Sequence, residues 1–171
     1  MSFDPKHGHE ALRRGRWSES GTEYFLTFCT ANRKPGLPEP VLLQSIWREV
    51  DRMSTESIWT LRTGVVMPDH IHLLVEINFS SDLASAVRLF KGRLVPALRS
   101  AALQWQPAYF DHRMRPNEDR FPVFRYLFLN PYRAKLLAQN EKWPGYYCCP
   151  QDWTWFATLT DKDCPLPEWL A

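Results

Sequence analysis

The sequence predicts an α+β fold: a ferredoxin-like split βαβ sheet, in the order β-α-β-β-α-β, followed by one additional C-terminal helix. Three observations predict it. Two strand-like apolar runs flank a single Pro68-Asp69 turn, and two amphipathic stripes with a period near four residues bracket that hairpin. The 171-residue chain, 44% apolar and 14% aromatic, has material for one well-packed core rather than two.

The elements follow in order. Residues 1–20 are polar, basic and glycine-containing, and read as an arm ahead of the domain. "GTEYFLTFCTA" (21–31) is aromatic and apolar between turn residues, which suits a buried strand, and "NRKPGLPEP" is a loop. Leu42, Ile46 and Val50, with Trp47 and Met53 alongside, mark a helix from Val41 to about Ser54. "IWTLRTGVVMP" and "HIHLLVEIN" are antiparallel strands joined at Pro68-Asp69. In "SSDLASAVRLFKGRL", Ser80, Ser81 or Asp82 caps a helix carrying Leu83, Val87, Phe90 and Leu94, which Pro96 bends or ends. "WQPAYFDHRMR" is a fourth strand, assigned to a sheet edge because of Pro107. "DRFPVFRYLFLNPYRAKLLAQ" is helical with a break at Asn130-Pro131. The domain is expected over 21–142, and 143–171 as an irregular aromatic tail packed on it. Both helices of the split βαβ unit belong on one face of the sheet, leaving the other face open.

Net charge is only +2, so overall charge does not signal a nucleic-acid partner. The bases cluster instead, at Lys6, Arg13, Arg14 and Arg16, at Arg88, Lys91, Arg93 and Arg99, and at Arg125, Arg133 and Lys135; each cluster also reads as a solvated helix face. Four cysteines without CxxC spacing are expected to be reduced thiols. With no apolar leader and no run of membrane-spanning length, a soluble cytoplasmic protein is expected.

Alternation puts His70, His72, Leu74 and Glu76 on one side of their strand and Ile71, Leu73, Val75 and Ile77 on the other. Two imidazoles so placed can chelate one ion. They can equally be satisfied by ordinary hydrogen bonds, and the spacing alone leaves both readings open. A divalent ion needs further ligands. Tyr126 and Asn130, four apart, share a helix face if the helix is continuous. Otherwise Tyr126 is an amphipathic core residue and Asn130 the cap of a second helix begun by Pro131.

"MPDHIHLLVEI" and "YLFLNPYRAKL" resemble the two signature blocks of the REP-associated tyrosine transposases, within the single-tyrosine HUH transposase superfamily. The likeness extends to "YFLTFCTANRKP", "LASAVRLFKGRL", "WQPAYFDHRMR" and "WPGYYCCPQDW", in the family's order. It implies that His70, His72 and Asn130 ligate Mg²⁺ or Mn²⁺ and that Tyr126 is a nucleophile forming a 5′-phosphotyrosine with single-stranded DNA beside a palindromic hairpin. Lys91 matches a family lysine, and Arg88, Arg113, Arg133 and Lys135 are expected to extend its contact with the DNA backbone. Tyr132, Ala134 and Lys135 depart from the family pattern, which bears on hairpin recognition. The resemblance allows a monomer or a homodimer. Two other classes stay open: a hairpin-binding module without turnover, and a small HxH metallohydrolase recruiting His112 and Asp111.

Overall fold

In a computed structural model, which describes residues 21–78 and 81–170, the alternation of side chains decides the architecture. The expected arm over 1–20 lies outside the described residues. Strand β1 (Thr22–Cys29) turns Tyr24, Leu26 and Phe28 into one core and Phe25 toward a second. Strands β2 (Trp59–Val66) and β3 (His70–Ile77) form the expected antiparallel hairpin, closed where Met67 N donates to His70 O at 2.8 Å. Strand β4 (Phe110–Arg113) pairs with β1 at the sheet edge, as expected, but is shorter than the predicted stretch and begins beyond Pro107. A short strand β5 (Tyr146–Cys148) adds to β2, giving the all-antiparallel order β4-β1-β3-β2-β5.

Helices α1 (Pro40–Thr55) and α2 (Leu83–Ser100) cover one face. Ile46, Val50, Phe90 and Leu94 meet Leu26, Phe28, Leu73 and Val75 there, all of them buried. Each such side chain contributes about 1.5–3 kcal/mol through the water it leaves. Asp82 is the α2 cap, its carboxylate accepting from Ser85 N at 2.9 Å. Pro96 does not end α2: it lies on the exposed face, so the Gly92 carbonyl that loses its partner can take water instead.

The other face is not open. Helix α3 (Phe121–Arg133) and helix α4 (Pro150–Phe156) lie against it, and Phe124, Leu127, Phe128 and Phe156 pack on Val65 and Leu74. Leu74 and His72, expected on a wet surface, are 0% and 5% exposed. Nor does α3 break at Asn130-Pro131; it runs on to Arg133, where the chain turns instead of starting a second helix. Lys135 N donates to Tyr132 O and Leu136 N to Pro131 O, the paired closure of a Schellman motif with Lys135 left-handed at φ 55°. The same closure ends α1 at Ser57 (φ 56°) and α2 at Ala102 (φ 55°), without a glycine in any of the three.

The tail is likewise more ordered than expected: besides β5 and α4 it forms a small hairpin of β6 (Thr160–Asp161) and β7 (Cys164–Pro165). A bulge between Leu61 and Thr63 gives Arg62 its own direction, toward Asp152 at 2.9 Å and Glu23 at 3.7 Å. Glu23 also accepts from Arg120 at 2.8 Å, so one buried carboxylate helps tie the start of α3 and the tail to the sheet. Burial raises the Glu23 pKa, and the two guanidiniums oppose that rise. No helix among the described residues is long and apolar enough to cross a membrane.

Two substitutions test this packing by urea denaturation. Gly145→Ala would bring a Cβ to 2.6 Å from the Val66 carbonyl oxygen and 2.7 Å from Trp143 Nε1, and is expected to cost about 1–3 kcal/mol. Ala102→Gly relieves a left-handed residue at a helix end and is expected to gain about 1 kcal/mol.

Candidate active site

Register sets the site. Pairing of β1 with β3 puts Thr27 opposite His72 and Cys29 opposite His70, and alternation aims all four toward α3. His72 lies stacked on Phe25, ring centroids 5.3 Å apart, with His70 edge-on at 4.6 Å and Tyr126 edge-on at 5.3 Å. The aromatic residues of β1 and α3 thus keep water from the ring.

Each imidazole has one nitrogen engaged from outside the pair. Thr27 Oγ1 lies 2.8 Å from His72 Nδ1, and Asp69 Oδ1 lies 2.6 Å from His70 Nδ1. A carboxylate only accepts, so the proton of His70 sits on Nδ1 and its Nε2 carries a lone pair. The Thr27 hydroxyl accepts from His72 Nδ1 in the tautomer that bares Nε2 and donates to it in the other. Asp69 is held in turn: its second oxygen meets Arg33 Nε at 2.8 Å, and its carbonyl accepts from both Thr30 N and Thr30 Oγ1. Arg33 reaches back because the short turn Ala31–Arg33 puts Asn32 and Arg33 in the left-handed region, and its Nη1 donates to Cys29 Sγ at 2.7 Å.

Burial, the His70 ring and the Arg33 charge together push His72 down to about 3. His70 is lowered as well, chiefly by burial, against the pull of Asp69. Both rings are therefore uncharged at neutral pH. An uncharged ring is the form that can accept a hydrogen bond or bind a cation through Nε2.

Tyr126, from α3, brings its hydroxyl to 3.3 Å from His72 Nε2. At 41% exposed it is open to solvent on the side away from the histidine, so a substrate can reach it. Phenol and imidazole belong to the same chain. One lone pair serves one partner at a time, so this hydroxyl and a cation on His72 Nε2 exclude each other. Because α3 is continuous, Asn130 lies one turn from Tyr126 on the same helix face. Its Nδ2 is buried with no hydrogen-bond partner among the described residues, and a buried amide left so costs about 1–3 kcal/mol. Rotation about χ2 exchanges that nitrogen for the carbonyl oxygen.

The candidate DNA contacts are dispersed. Lys91 Nζ donates to the carbonyls of Gln106 (2.7 Å) and Pro107 (3.0 Å), fastening the loop after α2, and Gln106 N in turn donates to Cys29 O, opposite His70. Arg88 is exposed one helical turn from it. Arg113 pairs opposite Tyr24, toward the end of the sheet remote from His70. Arg133 and Lys135 are exposed where α3 ends. His112, considered for a metallohydrolase site, is tied to Glu118 Oε1 at 2.8 Å. Among the described residues no three His, Cys, Asp or Glu side chains converge as a metal-binding group.

Sequence reasoning missed Thr27, Asp69 and Arg33. Asp69 was legible, being adjacent to His70; Thr27 and Arg33 come from another part of the chain and become neighbours only through the β1–β3 register.

The family model described as "Transposase IS200 like" matches residues 18–114, a stretch that holds both histidines and ends before Tyr126. The chain is 23% identical over 130 residues to the REP-associated tyrosine transposase of Escherichia coli (strain K12), covering 75% of this chain and 78% of that protein. A solved structure of a REP-associated tyrosine transposase bound to a REP hairpin superposes with a TM-score of 0.65 at 23% identity, covering 77% of this chain and 79% of the other. At that identity the superposition speaks for the fold.

The depressed His72 pKa has a sign that can be checked. Between an unfolded value of about 6.5 and a folded value of about 3, the unfolded chain binds a proton that the folded one refuses. Stability of the metal-free protein should therefore fall as pH drops through that window. Urea midpoints for the parent and His72→Gln are expected to converge toward low pH; a constant difference would mean that His72 does not fold uncharged.

Proposed function

Because the chain belongs to the IS200-like transposase family, we propose that it cuts and rejoins single-stranded DNA beside a palindromic hairpin, through a covalent link between Tyr126 and a 5′ phosphate. The observation that carries this reading is the Tyr126 hydroxyl, solvent-accessible and 3.3 Å from the buried His72 Nε2. A phenol and two uncharged imidazoles from distant parts of the chain need no such meeting for packing alone. The hairpin partner rests on the likeness to a transposase whose structure was solved bound to a REP hairpin.

The donor set suits a divalent cation. His70 and His72 would hold it through Nε2, and Asn130, with its amide turned about χ2, through the carbonyl oxygen at the buried position where Nδ2 finds no partner among the described residues. Bound there, Mg²⁺ or Mn²⁺ supplies Lewis-acid polarisation of a phosphate oxygen and offsets its charge. The chain's own residues do the rest. Asp69 holds His70 in the tautomer that leaves Nε2 bare, and the Thr27 hydroxyl can accept from His72 Nδ1 in the same tautomer. Phe25 and α3 exclude water from one side of His72.

Tyr126, open to solvent, gives up its proton to water as its oxygen attacks phosphorus. A new P–O bond to the phenolic oxygen forms, the P–O3′ bond breaks, and the departing 3′ oxygen takes a proton. Attack by another strand's 3′-hydroxyl runs the exchange in reverse. One phosphoester replaces another at each step, so no nucleotide cofactor is required. Phenol and imidazoles of one chain suffice, so a monomer can carry the whole site, and a cytoplasmic location accords with a DNA substrate.

Incubation with end-labelled, hairpin-bearing single strands and Mn²⁺ should give a denaturant-resistant protein–DNA adduct. Tyr126→Phe and EDTA should each abolish it. Binding without an adduct in the parent protein would instead favour a hairpin-binding module without turnover. Asp69→Ala is expected to weaken Mn²⁺ binding, read by titration calorimetry, by about 10–100-fold; unchanged affinity would remove Asp69 from the site.

A further inference from the structure

Beyond the end of α3 the tail builds a cavity of about 320 Å³, lined by Phe128, Tyr132, Trp143, Tyr146, Trp153 and Lys142 among others. It lies within the size range of small-ligand sites. Its position follows from register. Tyr146 on β5 pairs with Val65 on β2, and Val65 pairs with His72 on β3, so Tyr146 stands two strand spacings, about 10 Å, from the imidazole. Val65, Tyr146 and Phe128 all belong to the packing on the α3 face, the face that carries His72 and Tyr126.

The walls are stiff and their polar ends are already used. Phe128 meets Tyr146 edge-on at 5.1 Å, and Trp153 lies 6.5 Å from both. Trp143 Nε1 donates to the Val66 carbonyl at 2.8 Å, and Tyr132 Oη to the Glu141 carbonyl at 2.7 Å. Tyr147, Cys148 and Asp163 complete the lining, so a ligand meets aromatic rings beside polar groups, a setting that suits a flat heteroaromatic ring. At the rim Lys142 Nζ meets Asp163 Oδ2 at 2.6 Å, with both side chains at least half exposed. A pair so exposed is held weakly, and a phosphate can compete for the ammonium.

We propose that this cavity takes one unpaired nucleobase of the DNA strand, held against Tyr146 and Trp153, with Lys142 on an adjoining phosphate. The proposal rests on the single-stranded DNA reading above and adds to it a base-holding site beside the cut. All the lining residues lie beyond residue 114, outside the stretch that the family model matches.

The test uses the full chain in a Tyr126→Phe background, with hairpin-bearing single strands made abasic at each unpaired position in turn. One position is expected to weaken binding by about 5–100-fold, the worth of a stacked base. Trp153→Leu should weaken binding of the intact strand similarly and become insensitive to that position. Lys142→Ala, on the surface, should reduce the slope of log affinity against log salt by about one and keep the thermal transition of the parent, so it serves even if Trp153→Leu folds poorly. Independent effects of Trp153 and every abasic site, or an unchanged salt slope in Lys142→Ala, would overturn the proposal. The Tyr126 adduct is read separately in the unsubstituted protein: an adduct without this coupling removes only the cavity's role, coupling without an adduct removes only the catalytic reading, and absence of DNA binding removes both.

Discussion

The site depends on keeping one imidazole uncharged in a dry setting. His72 is covered by Phe25 on one side and faced by His70 and Tyr126 on others, and burial is the leading reason its protonated form is disfavoured. A charged His72 would repel a cation and would donate toward Tyr126 instead of accepting from it. The second core, between sheet and α3, is therefore more than a source of stability. Phe124, Leu127 and Phe128 fix α3 against the sheet, and that fixing brings a phenol from residue 126 to a ring at residue 72.

Around that ring the support is layered. Thr27 orients the His72 ring from the neighbouring strand, while Asp69 sets the tautomer of His70 from the adjacent residue and is itself set by Arg33 and by the backbone of Thr30. Two left-handed residues, Asn32 and Arg33, are accepted in the turn that delivers the guanidinium. Such conformations cost energy in an L-residue, and here the side chain that results contacts both Asp69 and Cys29.

The sheet and its first two helices were legible in the sequence because their signals are periodic. Ile71, Leu73 and Val75 alternate, Leu42, Ile46 and Val50 recur, and Pro68-Asp69 marks the hairpin. The misjudged points share a different cause: they are decided by what packs from elsewhere. Pro96 and Pro131 carry the same local signal, yet neither ends its helix, since one is solvated and the other is buried in an α3 held on both flanks. The helix ends carry no glycine, so Ser57, Ala102 and Lys135 gave no hint of their left-handed closure. The face with His72 was read as wet because its cover, α3 and the tail, arrives from more than fifty residues later in the chain. At the site, HxH and the Tyr–Asn pair were visible as spacings, but that they converge is a property of register and of the α3 docking angle. The order of the tail was hidden in a segment without a period, where Gly145 and Trp143 act through single close contacts with Val66.

The two outer strands have a consequence of their own. β4 spans four residues and β5 three, while the strands they flank run to eight. A row of unpaired amides that short offers little template for another chain, and β4 carries Asp111 and Arg113 on it. The sheet is thus blunted at both margins against runaway lateral stacking. A ladder continued by a second copy could pair over only a few residues at either margin.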